Sequence, residues 1–333
     1  MNFTKLSFAT WMLVIAASCF ASQDSVKVVK GQVSDYYIPV VNEYELTGIV
    51  TDEHDQPLGR PASFANDEEM LDYIEKTHLN YMWDGANPNS GLAPERIHLD
   101  GIYPQNDKHV VTTGGSGFGI AGLLAGIDRG YISRIEGVQR LTKIVDFLGK
   151  ADRFHGVWSH WIDGNTGKTV PFGQKDDGGD LVESSFLMAS LLCVRQYFEN
   201  GNEQEKLLAS HIDKLWKEME FDWYRRGGQD VLYWHWSPNY GWDMNFPLEG
   251  YNECLITYIL GASSPTHSIP ADCYHKGWAR SGGIKSNAKP YGYPLELKHN
   301  GAEQTGGPLF WAQYSYICLN PKNLSDTLSL IHI

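Results

Sequence analysis

From residue 66 onward, apolar residues recur three and four apart, the spacing of helices that bury one face. Asn66 or Asp67 can start the first of these helices, because a short polar side chain accepts the free N–H groups of a first turn. Its inward positions would be Met70, Leu71, Ile74, His78, Tyr81 and Met82. Ser133 and Glu136 have the spacing of a capping box. They open a helix expected to set Ile135, Val138, Leu141, Ile144, Val145 and Leu148 on one face. Further helices are predicted over 117–129, 181–199, 204–224, 250–261, 271–280 and 308–318, the last with Pro308 in its first turn. Residues 23–62 follow another pattern. Their Val, Ile and Tyr alternate with turn residues, as in Leu46-Thr-Gly-Ile-Val-Thr-Asp, and predict an extended arm or a few short strands.

The joins between helices are rich in Gly, Asp and Trp. Two examples are Phe154-His-Gly-Val-Trp-Ser-His-Trp161 and Tyr233-Trp-His-Trp-Ser-Pro-Asn-Tyr-Gly-Trp242. Long loops held by rigid helices usually carry function. Helical hairpins with binding loops at one end suggest an (α/α) barrel, an all-α ring that closes with six hairpins. The pattern yields only about eight helices, or four hairpins, so the ring is expected to be incomplete at the C-terminus. Asn320 to Asp326 reads as an inter-helix loop, and Thr327 to Ile333 as an apolar tail without caps. That tail is expected to be non-native, with a short terminal strand as the alternative. A ring left open exposes apolar flanks, so the chain alone is expected to be insoluble or molten, and inactive.

The N-terminus has the pattern of an export signal: Lys5, then the mostly apolar Phe8–Ala17, then small residues. Two processing routes are open. One is cleavage after Ala21; the other makes Cys19 the lipid-bearing residue of a bacterial lipoprotein. The expected organisation is a signal over 1–21, an arm over 22–63, the helical domain over 64–326 and the tail over 327–333. No other stretch is long enough for a membrane helix. Cys193, Cys254 and Cys318 sit in apolar runs and are expected in the core, and a Cys254–Cys273 bridge is possible by composition. No pair has C-x-x-C spacing, so no structural zinc is expected.

Composition then narrows the chemistry. The formal net charge is −13, without a basic block, which argues against nucleic acid. Some of the 11 Trp and 18 Tyr must be core, and such side chains also stack on the flat faces of sugar rings. Acid plus aromatic fits a neutral polyhydroxylated ligand.

The richest acidic string is Asp176-Asp-Gly-Gly-Asp-Leu-Val-Glu183. Asp180 and Glu183 have the spacing of a helix start, which alone explains that pair. If the loop is compact, Asp176, Asp180 and Glu183 also crowd into one cavity, where like charges raise a carboxyl pKa. On the residues alone, cap and site stand level. Glu249 and Glu253, four apart, would share a helix face. Asn252 beside them could orient a sugar hydroxyl. His155, His160 and His235 lack metal-ligand spacing, so ligand hydrogen bonds are expected, with no metal and no cofactor. Gly117-Phe-Gly-Ile-Ala-Gly122 matches G-x-G-x-x-G, but no strand–helix alternation follows it. Close helix packing explains those glycines better than a dinucleotide does.

Several strings together resemble a known family: Thr113-Gly-Gly-Ser-Gly-Phe-Gly119, Ala151–Trp161, Gly178–Leu187, Tyr251-Asn-Glu253, Ser263–His267 and Gly307-Pro-Leu-Phe310. They are similar to the glucoamylase-like domain of exported bacterial proteins, the group containing glycoside hydrolase family 144. The resemblance spans about residues 65–325. It implies an (α/α)6 toroid and inverting hydrolysis of β-1,2-glucan, and it places the acidic site on Asp176, Asp180, Glu183 and Glu253. The family's further barrel helices, with another functional Asp, have no counterpart in this sequence.

The expected function is therefore an exported, monomeric glycoside hydrolase of β-linked glucan, located in the periplasm or as an outer-membrane lipoprotein of a Gram-negative cell. Glu253 is expected to be the acid, with Asp176, Asp180 and Glu183 holding sugar or water. Trp158, Trp161, Trp234, Trp236, Trp242, His160, Glu249 and Asn252 are expected to bind substrate. The alternatives are a non-catalytic glycan-binding surface protein and, more remotely, a polysaccharide lyase. The acid-rich site argues against the lyase.

Overall fold

A computed structural model describes residues 64–98, 100–299 and 301–322. The expected signal, Cys19, the arm over 22–63 and the tail over 327–333 lie outside the described residues.

The described chain is helix-rich, with helices α1 (Asp67–Trp83), α2 (Thr113–Arg129), α3 (Arg134–Leu148), α4 (Leu181–Phe198), α5 (Glu203–Lys217) and α6 (Leu255–Ser263). Three predicted helix starts hold, while the helix expected from 117 begins four residues earlier, at Thr113. Asn66 Oδ1 accepts from Glu69 N at 2.9 Å, Ser133 Oγ from Glu136 N at 3.3 Å, and Asp180 caps α4. Each satisfies an N–H that has no partner inside its helix. The stripe on α3 buries Val138, Leu141, Ile144, Val145 and Leu148, whereas Ile135 points outward at 72% exposure. Its first turn lies beyond the buried stripe. None of the residues of α1 is fully buried, so its predicted inward face packs only partly.

At the centre of the packing is the pair α2 and α4. A Cβ on Gly117 would lie 2.7 Å from the Leu187 backbone. The glycines of the G-x-G-x-x-G string thus let two helices approach, as the sequence suggested. No strand-to-helix phosphate loop is built there. α4 is buried nearly all round, and its serines satisfy themselves. Ser184 Oγ accepts from Trp158 N at 2.9 Å and donates to Trp158 O at 3.1 Å, and Ser185 Oγ donates to Leu181 O at 2.6 Å.

Several predicted elements differ. α5 ends at Lys217, and only a short 3₁₀ turn, Trp223–Arg225, follows. The helix expected from residue 250 begins at Leu255. Gly250 has φ +83°, a left-handed backbone that a continuous helix excludes. Glu249 and Glu253 therefore do not share a helix face. The 271–280 helix is a single wide turn, Cys273–Trp278, and 308–318 is two 3₁₀ turns, Leu309–Ala312 and Tyr314–Ile317. Cys254 and Cys273 are buried but unbonded, and Cys193 and Cys318 are only half-buried.

Short strands join the helices: β1 (Val110–Thr112), β2 (Arg153–Phe154), β3 (Val157–Trp158), β4 (Trp161–Asp163), β5 (Thr169–Val170), β6 (Gly179–Asp180) and β7 (His235–Trp236). β4 pairs with β1 and β5, β2 with β3, and β6 with β7, all antiparallel. The β6–β7 ribbon delivers the acidic string to the Trp-rich loop. No helix of the described residues is long and apolar enough to cross a membrane.

Candidate active site

The site forms where β6 turns into α4. Asp180 ends the strand with extended backbone and serves as the N-cap. Its Oδ1 accepts from Val182 N at 3.0 Å and Glu183 N at 2.9 Å. Its Oδ2 accepts from His160 Nδ1 at 3.0 Å and Trp234 Nε1 at 2.8 Å. Two donors per oxygen fill the acceptor capacity of a carboxylate. Cap and site, level alternatives in the sequence, are one and the same residue: Asp180 starts a helix and ties together two loops.

Asp176 is its opposite. It is 4% exposed, and neither carboxyl oxygen has a hydrogen-bond partner. Burial first, and the charge of Asp180 second, push its pKa up to about 7. Oδ1 lies 3.2 Å from His235 Nε2. That nitrogen already accepts from Gly178 N at 3.1 Å, so it carries no proton, and burial pulls the His235 pKa down. Asp177 turns away, taking a 2.6 Å bond from Asn239 Nδ2.

Glu183 stands one turn into α4. Gly114 N, in the first turn of α2, donates to its Oε2 at 3.0 Å. Burial raises its pKa; the charge of His160 pulls it back, and Asp180 and Glu253 push it higher. A Cβ on Gly114 would fall 2.0 Å from that Oε2, so the contact needs glycine. Glu253 lies in the turn before α6, half-buried, and its pKa too is raised, by burial and then by the charge of Asp180. Three carboxyl groups primed to hold protons thus surround one carboxylate and one histidine. Perturbed groups of this kind mark a functional site.

His160, Asp176 and Asp180 place donor atoms within 4.8 Å of one another, as cation ligands would. The fit is poor. Asp180 has no lone pair to spare, and the Nδ1 of His160 is spent on it. The pKa of His160 is raised to about 9: burial opposes the rise, and the charges of Glu183, Asp180 and Asp176 outweigh it.

The predicted aromatic residues divide. Trp234 bonds Asp180, and Trp161 sets its edge against Phe172, whose ring stacks on His160 at 4.2 Å. Trp236 lies on the other face of the β6–β7 ribbon, near Phe154, His155 and Trp223, and Trp242 joins that group against Trp223 and Tyr224. Trp158 is a correction. It is fully buried, with Nε1 donating to Leu148 O at 3.0 Å and Arg153 over its ring, so it is core and cannot meet a ligand. Asn252 Oδ1 is used by Cys254 N and Trp278 Nε1, which bind it to the start of α6. Glu249 is half-buried in the loop before that helix. Phe172 and the Gly114 N–H are contributors the sequence reading missed. The Thr113-Gly-Gly-Ser-Gly string was visible, but its partner lies 69 residues away.

Residues 245–331 match the family model described as "Putative glucoamylase". The chain is 46% identical over 278 residues to an exo β-1,2-glucooligosaccharide sophorohydrolase (non-reducing end) of Parabacteroides distasonis, across 78% of this chain and 37% of that protein. It is similar to the structure of an endo-β-1,2-glucanase from Chitinophaga pinensis in complex with sophorotriose and glucose. There the TM-score is 0.75 at 63% identity, covering 78% of this chain and 62% of that one. A β-1,2-glucanase from Parabacteroides distasonis gives a TM-score of 0.73 at 43% identity, covering 80% and 40%. The chain spans 37% of the curated relative and 62% of the Chitinophaga protein.

Proposed function

We propose that the chain is a member of the glucoamylase-like family and a glycoside hydrolase of β-linked glucan, β-1,2-glucan before others. The carrying observation is the set of raised carboxyls, Asp176, Glu183 and Glu253, around the saturated Asp180. Hydrolysis with inversion needs one carboxylic acid to protonate the leaving oxygen and one carboxylate to activate water, about 6.5–9.5 Å apart. Glu253 is the proposed acid, because burial keeps its proton at a pH where an ordinary glutamate has lost it. Asp176 and Glu183 hold the sugar and position water. Trp161 and Trp234 form the aromatic wall beside them. The finer architecture we propose is an (α/α)6 toroid, supported by the α2–α4 packing and by the similar structures. Export is part of the same reading, supported by Lys5 and the apolar Phe8–Ala17.

The test is product analysis on linear β-1,2-glucan, with the anomer of the first-formed product read by NMR. Glu253→Gln is expected to lower turnover by about 10²–10⁴-fold, the usual share of a general acid. Full turnover in that variant removes Glu253 from the mechanism. Tight glucan binding without any product would favour the non-catalytic alternative.

A further inference from the structure

Two histidines flank Asp176, and the hydrogen bonds around them differ in kind. His235 takes a backbone N–H into Nε2, so that nitrogen is an acceptor and the ring is neutral. His160 faces the saturated Asp180. A carboxylate that already accepts from two backbone N–H groups and an indole N–H can only accept from His160, so Nδ1 carries a proton. The ring is clamped in that orientation. Phe172 stacks on it at 4.2 Å and 19°, and Trp161 meets it edge-on. Its Nε2 has no hydrogen-bond partner among the described residues. Every charged group facing the ring is acidic: Asp176 from the loop before β6, and Asp180 and Glu183 from the start of α4. At the start of α2, Thr113 N donates to His160 O at 3.1 Å.

We propose that His160 is the fixed cation of this acidic cluster: a positioning residue, clamped on Asp180, whose positive charge keeps a neighbouring carboxyl ionised in the working enzyme. The inference rests on the glycoside hydrolase reading for its catalytic consequence; the hydrogen bond fixes the proton on Nδ1, and the second proton is favoured by the buried acids around the ring, with donor atoms of Asp176 and Asp180 within 4.8 Å of its own. Its physical content is a division of labour. Burial raises Asp176, Glu183 and Glu253 together, and an inverting site whose carboxyls all kept their protons would have no base. A buried cation breaks that equality, because it acts on the carboxyls beside it and falls off with distance. His160 draws both Asp176 and Glu183 back toward ionisation, whereas no such pull acts on Glu253. The cation thus acts on two of the three buried carboxyls and leaves the third to its burial.

His160→Asn is the discriminating variant, since its amide N–H can replace Nδ1–H on Asp180 without the charge. The expected result is that the acid limb of the kcat/KM profile on β-1,2-glucan moves up by about one pH unit, a ~10-fold loss on that limb. KM at the new optimum changes much less than kcat. A uniform loss with an unmoved limb would mean that His160 only packs, and would overturn the proposal. A second measurement needs neither substrate nor a folded variant. In the ¹³C-histidine-labelled wild-type chain, one of the twelve histidine resonances is expected to titrate near pH 9. If none titrates above about 7.5, the fixed cation does not exist. Absence of any glucan hydrolysis would defeat the functional reading alone, and the titration would still decide the charge of His160.

Discussion

The loop entering α4 and the first turn of α4 lie four residues apart and treat the same side chain in opposite ways. In the first turn, Asp180 accepts four hydrogen bonds. In the loop, Asp176 is just as buried and accepts none. The difference is positional. At the N-cap, backbone N–H groups converge on any carboxylate placed there, and the helix dipole adds to them. Four residues earlier the chain still runs as turn and bend, and its N–H groups point elsewhere. A carboxylate with four donors is scaffold; a buried one without donors is a proton store. Chemical identity does not separate the two roles, but hydrogen-bond supply does.

The sharpest way to break this contrast is to remove the saturated partner. Asp180→Ala forfeits the cap and strands the N–H groups of His160 and Trp234. The expected cost is about 3 kcal/mol, or roughly 6–10 °C in Tm, with hydrolysis abolished. Asp180→Asn keeps Oδ1 for the cap but turns an amide toward two donors. Its thermal loss should be about half as large, with activity equally lost. Differential scanning calorimetry with a reducing-end assay checks both.

Removing the unpartnered acid should act in the other direction on stability. Asp176→Asn is expected to lower turnover by roughly 10²-fold while raising Tm by about 2–4 °C at pH 8. A fall in Tm would mean that Asp176 has a partner the geometry does not reveal. A gentler perturbation is Gly114→Ala, whose added methyl meets the flexible end of Glu183. It should cut activity by about 10-fold with Tm within 2 °C, because one carboxylate is displaced and no backbone has to move.

The last effect is a slope, read across pH and not at one condition. The folded-state pKa of Asp176 lies above its ordinary 3.8, at about 7. The folded protein therefore binds this proton more tightly than the unfolded chain, and stability falls as pH rises between those values. His160 is also raised, from 6.5 to about 9, so its contribution is complete below about 6.5 and is lost as pH rises through about 9. Wild type and Asp176→Asn should have converging stabilities near pH 4 and should separate steadily to pH 7, as read by urea denaturation. Parallel curves across that range would show that the Asp176 proton is not linked to folding.

What the sequence revealed and what it hid follow one physical divide. Asn66, Ser133 and Asp180 were legible as helix starts because a cap is a contact among neighbours. The acidic group was legible because Asp176, Asp180 and Glu183 are carried by eight consecutive residues. Trp158 was misread as ligand-facing because it shares a loop with Trp161. Only the folded β2–β3 ribbon, with Arg153 across the indole, decides which one is inside. The Glu249–Glu253 face failed for a local reason that was available: Gly250 between them permits the left-handed backbone that stops a helix. Gly114 and Phe172 escaped notice because their importance lies in what the fold brings to them.

The double duty of Asp180 has an evolutionary corollary. A residue that both starts a central helix and orients the reacting groups cannot drift toward a new substrate without endangering the fold. Adaptation is channelled instead to positions that do not touch it. Candidates in this molecule are the surface loops around Lys175 and Asp243, whose exposed side chains pair with each other at 3.2 Å. Divergent preferences for chain length or end of attack among proteins with this cluster should therefore be written in loop residues, while the wiring of the carboxylate stays frozen.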